Sequence, residues 1–308
     1  MGNSTAPIEL DDFWERQLGK IQTESFKESS LVIRAEHHRV DFEAPGSVVS
    51  RLEQRVRLFH HALVLGGCGY NSTMLMVGGN TSNGHLHIGP ISVGLAPCER
   101  PNYRAYRPVS EDELKRAATV LVSLEHVYHH APGFEYRRIR KGFNSWIQGV
   151  ESIDPALRLH SFVRAAEGII RPTTTTRTER KITKTFLTRG QTFTGRSNQS
   201  ERLLRQLYNL RSCVEHLKNV LPVVHKPRGA SRAEAFAFRA LQAEILASTI
   251  YSRLLTSDAF RERLRTERRV EGFWKRSDAN RNVLWGKPVD LDAIARREFV
   301  PWSTVDVL

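Results

Sequence analysis

The sequence is poor in several features that would place it in a specialised class of proteins. It has three cysteines, Cys68, Cys98 and Cys213, which are widely spaced and form no C-x-x-C motif. An odd number of separated cysteines favours reduced intracellular thiols over a disulfide framework or a zinc knuckle. No apolar run approaches the roughly 18 residues that a membrane span needs, and the N-terminus lacks a basic segment followed by an apolar one. We therefore expect a cytosolic protein with neither a transmembrane helix nor a signal peptide.

Motifs for metals and nucleotides are also missing. The glycines of GGCGYNS and GGNTSNG match neither a P-loop nor a G-x-G-x-x-G turn. Four histidine groups have no Cys or carboxylate at a familiar ligand spacing, namely His37–His38, His60–His61, His85 with His87, and His129–His130. We expect no metal site and no cofactor.

The positive charge is concentrated in one part of the chain. The net charge is +13 at pH 7, and residues 1–108 contain 11 Lys+Arg and 11 Asp+Glu. The whole excess therefore lies in residues 109–308. Such a surface attracts phosphate polymers through the release of counterions. We expect a nucleic acid as the favoured partner, ahead of an acidic protein or an anionic lipid.

Residues 1–108 alternate short apolar stretches with turn residues. Runs such as VRLFHHALVL, TMLMVGG and HLHIGPISVG are separated by GGCG, GGNTSNG and IGP. Runs rich in Val, Ile and Leu between glycine breaks are typical of short strands. We predict a small, mostly β N-terminal domain over residues 1–108, with a helix near DDFWERQLGKIQ, that senses a trigger or recruits a partner.

From residue 109 the pattern becomes helical. Ser110 and Glu113 form an S-x-x-E capping box ahead of a run with helical periodicity. Further helices are predicted at FEYRRIRKGFNSWIQGVES, DPALRLHSFVRAAEGII, SERLLRQLYNLRSCVEHLKNVL, SRAEAFAFRALQAEILASTIYSRLLTS and DAFRERLRTERRVEGFW. The fourth of these six helices carries an apolar stripe formed by Leu203, Leu207, Leu210, Val214, Leu217 and Leu221. The predicted fold class is α+β: the β domain, an all-α antiparallel bundle over 109–275, and a C-terminal extension over 276–308.

A basic, threonine-rich insertion interrupts the helices at residues 171–199. Its sequence, RPTTTTRTERKITKTFLTRGQTFTGRSNQ, contains a single acid, Glu179. We predict a loop or ribbon in which hydroxyls and cations contact phosphate while Phe186 and Phe193 stack on unpaired bases. A surface loop with solvated charges is the alternative. The candidate RNA-binding residues are Arg177, Arg180, Lys181, Lys184, Arg189 and Arg196.

An Arg and a His with possible catalytic roles stand in the fourth predicted helix. His216 follows Arg211 by five residues. Among the 12 histidines, one other place has an Arg at a similar interval, where Arg55 precedes His60 and His61. That place lies in a predicted strand, so we treat it as a chance match.

The segments around this pair resemble the HEPN superfamily, particularly its Apea-like branch, over residues 110–275. The resemblance rests on Glu167 in the -AxEGI- setting of LHSFVRAAEGII, on Tyr208, Arg211 and Ser212 in LYNLRS, and on His216 at the matching interval. It implies an all-helical domain that commonly dimerises and, in many members, cuts RNA without a metal. Members are frequent in toxin–antitoxin, CRISPR-associated and antiviral defence systems, which implies a regulatory or antitoxin protein as a further partner.

Two positions differ from the family pattern. Leu217 stands where Apea-like members often have Gly. Lys218 stands where toxins that are modified by a nucleotidyltransferase carry Tyr, so we do not expect that mode of regulation.

The residue types suit cleavage of an RNA phosphodiester by its own 2′-hydroxyl. An imidazole moves the proton, and a permanently charged guanidinium holds the phosphate as negative charge builds. We assign His216 as general base or acid and Arg211 as phosphate clamp, supported by Ser212, Glu167 and Tyr208. Five residues on an ideal helix rotate by about 140°, so one regular helix alone makes a poor site. Two copies meeting across a two-fold axis would bring both pairs into one cleft, and a distorted helix would serve as well.

The sequence thus predicts a metal-independent endoribonuclease that acts on RNA as a homodimer, as a toxin or an antiviral-defence effector. The alternative is a non-catalytic HEPN dimer that serves as an RNA-binding or protein-interaction module in a defence complex.

Overall fold

The fold is seen in a computed structural model of the chain, and it is mainly α-helical. The described residues fall into two compact units, one within residues 1–60 and 72–96 and the other within residues 61–71 and 97–308. The structure describes residues 12–27, 45–66, 73–82, 85–95, 109–130, 133–171, 179–219, 223–226 and 230–299.

The prediction of a mostly β N-terminal domain is wrong. The described N-terminal residues contain three helices, α1 (Asp12–Leu18), α2 (Lys20–Lys27) and α3 (Pro45–Leu65). One antiparallel hairpin follows, formed by β1 (Thr73–Ser82) and β2 (His85–Leu95). The apolar run LFHHALVL is therefore the buried end of a helix, where Ala62 and Leu63 are completely covered. The corrected fold class is all-α, and in the part of the chain that the structure describes the β1–β2 hairpin is the exception.

The second unit is built from helices. None of the helices in the described part of the chain is both long and apolar enough to cross a membrane. Its helices are α4 (Glu111–Glu125), α5 (Arg137–Glu151), α6 (Pro155–Ile170), α7 (Glu179–Thr194), α8 (Asn198–Glu215), α9 (Arg232–Thr256), α10 (Asp258–Arg263), α11 (Glu267–Trp274), α12 (Asp278–Trp285) and α13 (Leu291–Glu298). A π-helical turn at His126–His130 follows α4.

The helix starts follow from capping residues. The predicted capping box is confirmed, because the Ser110 hydroxyl accepts from the backbone of Glu113 and the Glu113 carboxylate accepts from the backbone of Ser110. Asp154 caps α6, with Pro155 at its first position, and Ser197 caps α8. Local sequence therefore sets where both helices of the predicted site begin.

The prediction of a loop or ribbon is wrong for residues 179–194, which form α7. Phe186 and Phe193 are buried with relative exposures of 1% and 0%, so they stack within the core and not on bases. The ring of Phe193 lies 4.2 Å from that of Trp285 on α12. Helix α12 of the predicted C-terminal extension therefore packs against α7.

Helix α6 occupies the centre of the second unit, with α5, α7, α8 and α9 packed around it. Its contact with α5 depends on glycine. A Cβ added at Gly142 would lie 1.8 Å from the Tyr251 hydroxyl oxygen and 2.9 Å from the carbonyl oxygen of Ala165. These two groups are themselves hydrogen-bonded at 3.1 Å, with Tyr251 as donor. The absence of a side chain at residue 142 thus lets α5 and α6 approach closely.

Replacing Gly142 with Ala is expected to lower the free energy of unfolding by about 3 kcal/mol, because the methyl group must displace Tyr251 or separate the helices. Gly272→Ala is the matched control, since nothing lies within 4 Å of a Cβ added there. The control should be neutral or stabilising by about 1 kcal/mol. Urea unfolding of the two variants measures the difference, and equal stabilities would contradict the packing described.

Candidate functional site

Four charged side chains from α6 and α8 meet in what we call the α6–α8 cluster, which consists of Arg164, Glu167, Arg211 and Glu215. Arg211 Nη2 lies 3.3 Å from Glu167 Oε2 on α6 and 3.2 Å from Glu215 Oε1 on its own helix. Arg211 Nη1 is also paired with the second oxygen of Glu215. Arg164 Nη1 lies 3.7 Å from Glu167 and 3.9 Å from Glu215. The structure thus brings together the predicted residues Glu167 and Arg211.

Two members of this cluster are deeply buried. Glu167 and Arg211 have relative exposures of 5% and 6%. Burial raises the pKa of the Glu167 carboxyl, although Arg211 and Arg164 act in the opposite direction. Among the described residues, Glu167 Oε2 and Arg211 Nε have no hydrogen-bond partner. A buried ion pair with unsatisfied atoms is a poor source of stability, and such groups are concentrated at functional sites.

The predicted supporting residues on α8 differ in their surroundings. Tyr208 is buried, with its ring 5.2 Å from that of Phe186. The Arg211 guanidinium carbon lies 5.9 Å from the centre of the Tyr208 ring. Ser212 is half-buried, and its backbone carbonyl accepts from the backbone N–H of His216 at 3.1 Å. Tyr208 therefore lies beside the cluster, whereas Ser212 contributes its backbone carbonyl to the end of the helix.

His216 lies in an irregular turn where α8 ends. It is the exposed C-cap residue, and Leu217 after it has a left-handed φ of 54°. Lys218 donates to the carbonyl of Cys213 at 2.8 Å and Leu217 donates to that of Val214 at 3.1 Å. These bonds form a Schellman motif with Leu at the position that favours Gly. A left-handed conformation costs a branched residue about 1 kcal/mol.

The predicted apolar stripe therefore ends early. Leu207 and Leu210 are fully buried, but Leu217 is 95% exposed. Leu221 lies outside the described residues. Arg211 faces the interior and His216 faces solvent, so within one chain the two side chains lie in different environments.

His160, which was not predicted as a site residue, lies on α6 one turn before Arg164. It is half-buried. Burial lowers the pKa of His160; the charges of Arg211 and Arg164 lower it further, whereas the charge of Glu215 and the backbone of Arg211 raise it. Its signal in the sequence is the spacing of 160, 164 and 167, which places three polar residues on one helix face.

The lowered pKa of His160 predicts a loss of stability in acid. Because the unfolded chain binds this proton at a higher pH than the folded chain, stability is full above the ordinary pKa of histidine and falls as the pH drops below it. Glu167 has a raised pKa and acts in the opposite direction, but it is common to wild type and His160→Gln. We expect the melting temperature of wild type to fall more than that of His160→Gln between pH 7.5 and 5.5. Equal falls would contradict the effect.

Some of the basic residues of the insertion form ion pairs with other parts of the second unit. Arg189 lies 2.9 Å from Glu271 and 3.1 Å from the carbonyl of Ile170. Arg196 is exposed and paired with Asp278. Lys184 is exposed, and it borders a groove of about 590 Å³ between α7 and α8 that is lined by Thr183, Lys184, Leu187, Thr188, Gln191, Glu201 and Arg205. Arg177 and the side chains of Arg180 and Lys181 lie outside the described residues.

The other Arg and His match lies on a helix and not on a strand. Arg55 is exposed on α3, whereas His60 and His61 are buried with relative exposures of 3% and 7%. His61 Nε2 lies 3.4 Å from Glu151. Within the described ranges, no group of three or more His, Cys, Asp or Glu side chains is arranged to hold a metal ion.

Comparisons of the chain with protein-family models, with curated proteins and with solved structures return no match. The resemblance to the HEPN superfamily therefore stays a prediction from the sequence.

Proposed function

We propose that this chain is a metal-independent endoribonuclease of the HEPN type that acts on RNA. The observation that supports this most directly is the position of Arg211. Buried Glu167 holds its guanidinium at 3.3 Å on one side, and α8 ends at exposed His216 just beyond it. Cleavage by a 2′-hydroxyl uses an oriented cation to hold the phosphate and an accessible imidazole to move the proton, and Arg211 and His216 are groups of these two kinds.

In the proposed reaction the 2′-oxygen attacks the adjacent phosphorus after its proton passes to a base, and the bond from phosphorus to the 5′-oxygen breaks. The departing 5′-oxygen takes up a proton. His216 moves these protons, and Arg211 holds the charged phosphate. The products are a 2′,3′-cyclic phosphate and a 5′-hydroxyl.

The proposal requires two copies of the chain. Arg211 is 6% exposed, whereas His216 lies at the exposed end of α8. A second copy, related by a two-fold axis, supplies the partner residue that one chain does not bring into place. It would also remove the side chain of Leu217, which is 95% exposed, from water.

Incubating the purified protein with single-stranded RNA in EDTA tests this function. We expect cleavage that persists in the chelator and fragments that end in a cyclic phosphate. Fragments with a 3′-hydroxyl and a 5′-phosphate would contradict the mechanism, as would intact RNA at all protein concentrations.

A second candidate is a non-catalytic module that binds RNA or a protein within a defence complex. It is favoured by the two carboxylates that pair with Arg211, because they neutralise the proposed phosphate clamp. This candidate predicts RNA binding without cleavage. Neutralising Arg177, Arg180, Lys181 and Lys184 should then weaken binding and flatten its salt dependence, whereas Arg211→Ala should leave binding intact.

The proposed setting is the cytosol, because three widely separated cysteines favour reduced thiols. RNA is the proposed substrate, and a regulatory or antitoxin protein is the further partner that the HEPN resemblance implies.

A further inference from the structure

Two arginines from two different helices pair with the carboxylate of Glu215. Arg211 on α8 binds it with both terminal nitrogens, one of them at 3.2 Å. Arg164 on α6 lies 3.9 Å from the same carboxylate. A two-pronged contact of this kind is how a guanidinium binds either a carboxylate or a phosphate. The geometry around Glu215 is therefore that of an anion site.

Glu215 lies on the solvent side of this site. The Arg211 side chain is 7% exposed, whereas those of Glu215 and Arg164 are 36% and 40% exposed. Glu167 holds Arg211 from the buried side at 3.3 Å. If the Glu215 side chain turned away, Glu167 would still orient Arg211. The terminal N–H groups of Arg211 that bind Glu215 would then open to solvent.

The local position of Glu215 is unfavourable for a carboxylate. Glu215 is the last residue of α8, where the helix dipole presents partial negative charge. An Arg followed by a Glu four residues later is also the weaker order for an ion pair on a helix. Helix stability therefore does not account for an acid here, but pairing with Arg164 and Arg211 does.

We infer that the α6–α8 cluster is a phosphate site that the chain fills with its own Glu215 carboxylate. The identity of the ligand, a phosphodiester of single-stranded RNA, rests on the proposed function. The four charges of the cluster sum to zero, and a phosphodiester carries one negative charge, as a carboxylate does. Exchanging one for the other keeps both arginines paired and the buried charge balanced.

Glu215→Gln, which removes the competing charge, tests this inference. The matched control is Glu201→Gln, which makes the same change in net charge on the same helix, where Glu201 pairs with Arg205 at 2.6 Å. The probe is a fluorescent oligonucleotide with 2′-O-methyl groups, which lacks the attacking hydroxyl. Fluorescence anisotropy should show Glu215→Gln binding about tenfold more tightly than wild type, with a salt slope steeper by about one phosphate contact.

Glu201→Gln should stay within about twofold of wild type, because an exposed helical pair contributes little. Adding Arg211→Lys to Glu215→Gln should remove the gain. Equal effects of the two Gln variants would overturn the inference, since net charge alone would then explain them. Because the probe cannot be cut, it separates the two proposals. If Glu215→Gln binds the probe more tightly but the protein cleaves no ordinary RNA, only the nuclease is rejected. If the protein cleaves ordinary RNA but Glu215→Gln does not bind the probe more tightly, only the phosphate site is rejected.

Discussion

Replacing His216 with Ala is expected to lower the rate of RNA cleavage by about 10²–10⁴-fold, because it removes the group that moves the proton. The stability of the fold should hardly change, since His216 is an exposed C-cap residue beyond the last turn of α8. Rates under single-turnover conditions, with enzyme in excess over labelled RNA, measure the effect without interference from product release.

His225→Ala is the matched control for this substitution. His225 is a second exposed histidine close in sequence, and it lies outside α8. The His225→Ala variant should cleave RNA at the wild-type rate. Undiminished cleavage by His216→Ala would remove His216 from the mechanism, and equal losses in both variants would indicate an indirect effect.

Replacing Glu167 with Ala is expected to lower the free energy of unfolding by about 3 kcal/mol. The reason is that buried Arg211 would lose the carboxylate at 3.3 Å and keep only the partly exposed carboxylate of Glu215. Denaturant unfolding measures the loss. Glu201→Ala, which breaks an exposed pair on α8, should change stability by about 0.5 kcal/mol or less.

The double variant Glu167→Leu with Arg211→Leu shows whether the pair is present for stability. Replacing a buried ion pair by apolar residues of similar volume is often neutral or stabilising. We expect the double variant to recover most of the stability that Glu167→Ala loses, and to be inactive on RNA because it lacks Arg211. If it is as unstable as the single variant, the pair is a structural element and loses its value as evidence for a site.

The helices after residue 109 could be predicted because their local signals agree with their packing. Ser110 and Glu113 mark the start of α4, and the spacing of apolar residues predicts α5, α6, α8 and α9. The N-terminal part could not be predicted in this way. A short apolar run such as LFHHALVL has no periodicity that separates a buried helix from a strand, and neighbouring glycines favoured the wrong choice.

The insertion was mispredicted for a different reason. Threonine is a weak helix former, although Arg and Lys are strong ones, and the many threonines outweighed the apolar residues in the prediction. Phe186, Gly190 and Phe193 lie three or four residues apart, and all three are buried. This spacing was visible in the sequence and is a more reliable guide to α7 than its composition.

The candidate site was predictable only in part. Glu167 and Arg211 come from the resemblance, and their contact follows once α6 packs against α8. The participation of Arg164 and Glu215 depends on the register between these helices, which no local pattern specifies. The left-handed Leu217 was equally inaccessible, because helical spacing favoured a continuous stripe where the chain turns.

The central claim, that Arg211 and His216 of different chains share one cleavage site, is tested most directly by combining two defective subunits. Arg211→Lys keeps a charge beside Glu167 but lacks the two-pronged grip, and His216→Ala lacks the imidazole. Heterodimers of the two variants, purified through two different affinity tags, contain one intact Arg211 and one intact His216 on opposite chains. We predict that they recover about half of the wild-type cleavage rate, since one of the two symmetric combinations is restored. Heterodimers no more active than either parent variant would contradict the shared site.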